Sequence, residues 1–483
     1  MKMASCSLFK SLRMLLMVLV CVPFTRADHW PQFRGPQGNQ IAQDRQLPQV
    51  WNPDQNIKWQ VKIPGRAWSS PVVWGDNIFI TNAVDEILES SGSSSRAVKS
   101  GSRIKPTNDH RWEVYCLDTD SGKVLWRQVA TQGKPTMITH SDNTYASETP
   151  VTDGKRVYAY FGMNGLYCYD FTGKLLWEKD LGVYKMERDW GTGSSPIING
   201  DLLYLQIDNE EQSFLVALDS KTGEECWRVS RQEGSNWCTP VIWQNRQRTE
   251  LVTGGKTVRG YDPLSGKLWW ELNVGGGRCS ASPTPDRECL YFGTEKRNDG
   301  GGFLFAVKAG ANGDITPKPG ETTSPGVLWV QNQTGIAFAS PLAYQDCVYI
   351  LERNGGRINC YYARTGESVY SERLPGVRTF WATPWAYKDK IFCLDDRGTT
   401  HVLQAGREFK ILGQNKLSDN FYASCALTEN SIILRGAESL YCIGESLIKT
   451  AEPETDRLTL PLQDRYTGPI PGEKDRIGWS EGN

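Results

Sequence analysis

Cys116-Leu117-Asp118-Thr119-Asp120-Ser121-Gly122-Lys123-Val124-Leu125-Trp126 is the stretch on which the reading of this chain turns. An apolar run ends at Asp, Gly follows, and Trp falls four residues beyond the Gly. The pattern returns as Asp170/Gly173/Trp177, Asp219/Gly223/Trp227 and Asp262/Gly266/Trp270, with a weaker copy at Tyr362/Gly366/Tyr370. An Asp side chain accepts hydrogen bonds from backbone amides two residues on, and Gly takes the positive φ that closes a tight hairpin. The aromatic then sits at a fixed step along an outer strand, placed to wedge against a neighbouring sheet. Buried there, each is worth roughly 2–3 kcal/mol. One copy is an ordinary hairpin turn. Four strong copies at regular spacing are a repeat.

A second marker sets the length of the repeat. Ser-Pro or Thr-Pro precedes an apolar run at Ser70-Pro71, Thr149-Pro150, Ser195-Pro196, Thr239-Pro240, Ser282-Pro283, Ser340-Pro341 and Thr383-Pro384, and Ser424-Cys425 is an eighth copy without the Pro. From Pro71 to Cys425 the spacings are 79, 46, 44, 43, 58, 43 and 41 residues. The short ones match a four-stranded propeller blade. The sequence therefore predicts an all-β, eight-bladed β-propeller of four-stranded blades over residues 57–446. The last unit lacks its Trp strand, and a spare strand of that kind, 57–63 with Trp59, stands before the first unit. The N-terminal strand is expected to complete blade eight and leave no open sheet edge.

The Asp-x-x-Thr/Ser-Gly-Lys-x-x-Trp turn resembles the tryptophan-docking motif of pyrroloquinoline-quinone (PQQ) repeat propellers. That family holds quinoprotein alcohol dehydrogenases and the BamB-like lipoproteins of outer-membrane protein assembly. The resemblance spans residues 30–446. The opening Trp30-Pro31-Gln32-Phe33-Arg34-Gly35-Pro36 also resembles the start of many bacterial PQQ-like propellers, those of planctomycetes in particular. The resemblance implies the fold, and leaves open a scaffold that binds protein or a dehydrogenase that uses PQQ with calcium.

The flanks read as follows. Residues 1–27 look like a secretory signal: Lys2, Lys10 and Arg13, then the apolar run Met14–Phe24, then Thr25-Arg26-Ala27, with cleavage expected before Asp28. Residues 28–56 are an N-terminal extension and 447–483 a polar C-terminal tail. The chain is expected to be exported, periplasmic or extracellular or membrane-associated, monomeric, and without a transmembrane span once cleaved. Residues 84–112 and 308–326 read as mobile surface loops inserted in blades one and five. A net charge of −1 gives no footprint for nucleic acid. Eleven of the 13 cysteines follow residue 27, with no disulfide framework or zinc spacing, and Cys116, Cys168, Cys360 and Cys442 read as small core residues.

Propeller sites lie on the channel rim. An aromatic stands three residues before the Pro position at Trp68, Trp237, Phe338, Trp381 and Tyr422, and Trp190 lies close by. Arg66, His140, Glu148, Lys185, Arg188, Arg278, Arg378 and Asp419 fall in the same loops. The candidate binding set is Trp68, Trp190, Trp237, Arg278, Phe338, Arg378, Trp381 and Tyr422, since aromatics interspersed with charge suit a flat ligand or a peptide. No catalytic or metal residue is assigned. Glu148, Asp189 and Asp419 are scattered rather than clustered as calcium ligands, and no two cysteines adjoin, unlike many alcohol-oxidising relatives. The four His residues form no metal pair, and no nucleophile elbow or kinase signature occurs. The leading expectation is a non-catalytic scaffold for a protein, peptide or envelope component, without a cofactor. A PQQ-dependent dehydrogenase of alcohols or sugars, with PQQ and calcium, and a carbohydrate-binding propeller are the alternatives.

Overall fold

A computed structural model describes residues 29–445, apart from 44, 91–102, 105–106 and 299. The expected leader over 1–27 and tail over 447–483 lie outside these residues. Eight antiparallel sheets follow one another along the chain, and the inner strands of the first seven touch in succession. Blade one comprises Val72–Trp74, Asn77–Asp85, His110–Asp118 and Val124–Gly133. Blade eight comprises Ala426–Leu427, Ser431–Arg435 and Ser439–Gly444, completed by Ile57–Lys62, in which Trp59 pairs with Cys442 and Lys62 with Ser439. The two ends of the repeat region thus meet in one sheet, which closes the ring.

In five blades an outer-strand Trp reaches over the Gly-containing turn of the next. The indole N–H of Trp126 donates to the Phe171 carbonyl at 2.8 Å, that of Trp177 to Ser220 at 3.2 Å, that of Trp227 to Pro263 at 3.2 Å and that of Trp329 to Ala363 at 2.9 Å. Trp59 closes the series on the Thr119 carbonyl at 3.0 Å. The turn Gly is needed twice over. Gly122 has φ +70, and a Cβ there would lie 2.7 Å from the Trp59 ring.

Trp270 departs from this scheme. Blade five has no Asp-Gly turn to receive it, because residues 308–326 stand in that place. Gly313–Asp314 within them adds a parallel strand to the edge of blade four, opposite Trp270 and Glu271. Ala311 and Ile315 pack into the same apolar cluster as Trp270. Fully buried, Trp270 donates instead to Glu250 of its own blade. Part of the 308–326 insertion, expected as a surface loop, is thus packed on blade four through Ala311 and Ile315, while 318–323 is exposed. The 84–112 insertion is also shorter than expected, because the hairpin strands run to Asp85 and resume at His110. Its Arg103–Ile104 pairs with Thr139–His140, while 91–102 and 105–106 are outside the described residues.

The Ser/Thr-Pro marker proves to be a belt around the channel. The backbone N–H of Ser70 donates to Thr149 Oγ1 (2.9 Å), that of Thr149 to Ser195 Oγ (2.9 Å), and that of Ser195 to Thr239 Oγ1 (3.0 Å). The series goes on from Thr239 to Ser282, from Ser282 to Ser340 and from Thr383 to Ser424. All eight residues are buried.

The N-terminal extension is a plug. His29–Trp30 adds an innermost strand to blade one, with His29 stacked 3.7 Å over Trp74. The following residues then visit every other blade. The Pro31 carbonyl accepts from Thr152 N–H and Gln32 Oε1 from Ile198 N–H. Gly38 abuts Val241 so closely that a Cβ would fall 2.4 Å from its Cγ2. Arg34 donates to the Pro283 carbonyl (2.6 Å) and Thr284 Oγ1 (2.7 Å). Asn39 donates to Ala343, Gln40 to Cys425, and residues 40–42 exchange backbone bonds with Ala386. These contacts all lie just past the belt, so the plug seals the channel end opposite the loops that precede it. Arg34 is wholly buried, and burial lowers its guanidinium to about 9.

Gly122→Ala is expected to destabilise the ring by about 3 kcal/mol, from left-handed strain plus displacement of Trp59. Gly75→Ala, at φ +56 with open space around it, is expected to cost only about 1 kcal/mol. Equal midpoint shifts in denaturant unfolding would refute the docking account.

Candidate functional site

Strand direction decides what reaches the open rim. Each inner strand leaves the rim, the second returns to it, and the turn between second and third strands lies there with the loop that precedes the inner strand. Backbone bonds tie the two sets together. Glu295 N–H donates to the Arg278 carbonyl, Phe380 N–H to Arg353, and Phe421 N–H to Asp396.

The predicted aromatics meet. Trp68 stacks on Tyr422 with ring centroids 3.9 Å apart, Tyr422 lies 5.6 Å from Trp381, and Trp381 4.7 Å from Phe338. Trp190 and Trp237 form a second group at 5.9 Å, with His140 edge-on to Trp190 at 5.8 Å. Blades two, three and five carry Ser147, Gly193 and Ser280 where the others carry an aromatic, and Trp237 lies over Gly193.

Arginines join the two groups. The Arg278 guanidinium lies 4.7 Å from Trp190, 5.6 Å from Trp237 and 5.7 Å from Phe338. Arg353 lies 4.5 Å from Phe338 and 4.8 Å from Trp381. Arg66 covers Trp68 at 5.0 Å, and Arg188 and Arg297 approach Trp190 at 5.5 and 5.7 Å. These are cation–π distances. Burial lowers the Arg66 and Arg278 guanidiniums below their ordinary range, with Glu295 opposing at Arg278. Burial also lowers His140, reinforced by Arg353 and Arg278 and opposed by Asp142.

Other predicted residues stand apart. Arg378 makes no ring contact; its side chain is 56% exposed and chelates Asp396, which raises it above its ordinary value. Asp419 accepts from the N–H groups of Glu438 and Ser439 and from the Tyr441 hydroxyl, a turn-holding role. Lys185 N–H donates to Glu211. Glu148 lies below the rim, fully buried, with Oε1 lacking a hydrogen-bond partner. Burial pushes its carboxyl up to about 7, against the pull of Thr192.

Arg353, Arg297, Asp142, Glu187 and Glu295 were not foreseen. Arg353, Arg297 and Glu295 come from second-to-third-strand turns, and Asp142 and Glu187 from loops before inner strands. The signal was present in the strand order itself.

Nearby concavities are small or polar. A cavity of about 20 Å³ between blades two and three, lined by Tyr160, Met186, Thr192, Gln206 and Asp208, has room for a single water. On the plug face, a groove of about 670 Å³ runs between Gln43, Arg45, Tyr344, Tyr387 and Lys388.

A family model described as outer membrane protein assembly factor BamB matches residues 110–369. The chain belongs to this PQQ-repeat family. No curated protein matches it. Among solved structures it is similar to BamB from Moraxella catarrhalis, at 12% identity over 80% of this chain and 98% of that one, with a TM-score of 0.52. It is also similar to a europium-containing methanol dehydrogenase, at 12% identity over 85% and 90% of the two chains, TM-score 0.57. Quinohemoprotein alcohol dehydrogenase from Comamonas testosteroni matches at 10% identity over 90% and 82%, TM-score 0.58. At these identities the likeness is one of fold. Both a protein-assembly factor and quinone enzymes share the ring. Among the described residues no helix is long and apolar enough to cross a membrane.

Glu148 gives the site a pH signature. A carboxyl whose folded value exceeds its ordinary 4.5 binds its proton more tightly when folded. Its contribution to stability is complete below the ordinary value and is lost as pH rises through the folded one. Glu148→Gln is expected to melt above the wild type at about pH 8 and level with it at about pH 4. Equal melting midpoints at both would show that Glu148 is not desolvated.

Proposed function

We propose that the chain is an exported, monomeric, non-catalytic propeller that holds a protein, peptide or envelope component on its rim. The observation that carries this reading is the rim itself, a surface of aromatic rings interleaved with guanidiniums rather than a chamber. Such groups give large contact area at low entropic cost and dominate protein interfaces. Family membership adds that a relative described as an outer membrane protein assembly factor uses the same ring. The plug leaves the rim as the open end of the channel, and the leader over residues 1–27 supports export.

This reading gives the chain no quinone. A PQQ centre needs an open ring face to stack on and a cluster of oxygen ligands for calcium. Here Trp68 and Tyr422 stack on each other, and Arg278 and Arg353 lie against the remaining rings. The rim acids Glu295, Asp142 and Asp396 each pair with an arginine. No group of three His, Cys, Asp or Glu residues converges among the described residues. These pairings and stacked rings count against a quinone on this rim. The same stacking leaves little open aromatic face for a sugar ring.

Titration of residues 28–483 with PQQ and calcium is expected to give no saturable change in Trp fluorescence or quinone absorbance at micromolar concentrations. Saturation with reduction of a dye acceptor on adding alcohol would establish the dehydrogenase instead. In capture from envelope extract, the wild-type chain is expected to retain a partner that Trp190→Ala and Trp381→Ala release while keeping the wild-type melting midpoint.

A further inference from the structure

Charge at the rim is unevenly matched. Glu295 pairs with Arg278 and lies 3.8 Å from Arg297. Glu187 lies 3.7 Å from Arg188 and 3.8 Å from Arg297. Asp142 lies 3.3 Å from Arg353 and 3.8 Å from His140. Three carboxylates thus serve four guanidiniums and an imidazole, while Arg66 turns its Nη2 to the Ser141 carbonyl.

Two of the arginines converge on one ring. Arg278 and Arg353 both lie over Phe338, at 5.7 and 4.5 Å. Each directs Nη2 at a carboxylate, and each has a buried Nε without an acceptor. A desolvated guanidinium with an unmet donor is unsatisfied in a way that a bidentate carboxylate corrects. The Asp142–Arg353 pair also has an unusual position. It joins residues 211 apart, linking the loop between blades one and two to the second turn of blade six. In an eight-blade ring those points stand nearly opposite, so the pair bridges the channel mouth.

We infer that Arg278 and Arg353, over Phe338, form a carboxylate-binding site for a peptide partner, covered in the free protein by Asp142. This rests on the peptide-binding reading above. The incoming carboxylate takes the place of Asp142 on Arg353 and gains the second, parallel hydrogen bond that Asp142 does not make. A peptide suits the site better than an acidic sugar, because the guanidiniums already lie against the rings on which a sugar would stack. The carboxylate comes from an acidic side chain or from a chain end, and the experiment separates the two.

The test is fluorescence anisotropy on the whole mature chain with three labelled peptides. The first is N-acetylated and C-amidated and carries Glu and Phe. The second replaces Glu by Gln. The third is the Gln peptide with a free C-terminal carboxylate. The Glu peptide or the free-ended Gln peptide is expected to bind, weakening with salt, and the amidated Gln peptide is not. Which of the two binds identifies the source of the carboxylate. Arg353→Gln and Arg278→Gln are each expected to weaken binding about tenfold or more. Asp142→Asn is expected to tighten it, a direction that misfolding does not mimic. If the amidated Gln peptide binds as well as the others, the carboxylate site is wrong and peptide binding stands. If Asp142→Asn weakens binding, the covering role is wrong. If no peptide binds, the inference falls, and partner capture by the wild-type chain judges the broader reading separately.

Discussion

The belt of serine and threonine hydroxyls is the constraint on which the ring depends. Near the channel axis eight inner strands converge, and their first backbone groups are buried with no strand on the inner side to pair them. A buried N–H without an acceptor costs free energy comparable to a lost hydrogen bond. At six of the eight junctions a hydroxyl of one blade is the acceptor for its neighbour's N–H, at 2.9–3.0 Å. The Pro that follows removes the next donor and favours the extended backbone the strand needs. Where Pro is lost, at Cys425, the plug's Gln40 bonds to that residue's carbonyl and sulfur.

Two other devices work from this belt outward and downward. At the periphery, indoles cross from blade to blade and bond to the turn they cover. Along the axis, residues 29–42 pin all eight blades from one face. The wholly buried Arg34 is the extreme case: a cation held by a carbonyl and a hydroxyl rather than an acid. Such a group is costly alone and tolerable only where the geometry is fixed around it. Sealing one face in this way leaves the other open, and the rim's aromatic and cationic surface occupies it.

The rim shows how one scaffold position changes character with small local differences. In five blades the residue two before the belt is aromatic; in blades two, three and five it is Ser147, Gly193 and Ser280. The gaps admit Trp237 over Gly193 and let Arg278 reach three rings. Guanidiniums lie against the ring faces of this rim, so its character is set by the arginines as much as by the count of aromatics.

The blade number, the closure by Trp59 and the aromatic set were legible in the sequence because each repeats at a fixed step, and period carries information about local geometry. The Asp-Gly turn states its own conformation. Trp270 was misread because its docking turn lies in the following blade, whose insertion the sequence cannot position. The rim's charge pairs were invisible for a related reason: Asp142 and Arg353 meet only because a closed ring brings opposite blades to one mouth. Likewise nothing in Trp30–Pro36 announces a plug, since its partners are single backbone groups drawn from separate blades. The sequence by itself determined the repeat and its turns, which depend on neighbours along the chain. The tertiary structure alone decided which charges pair and which end is sealed, because those contacts exist only once the ring has closed.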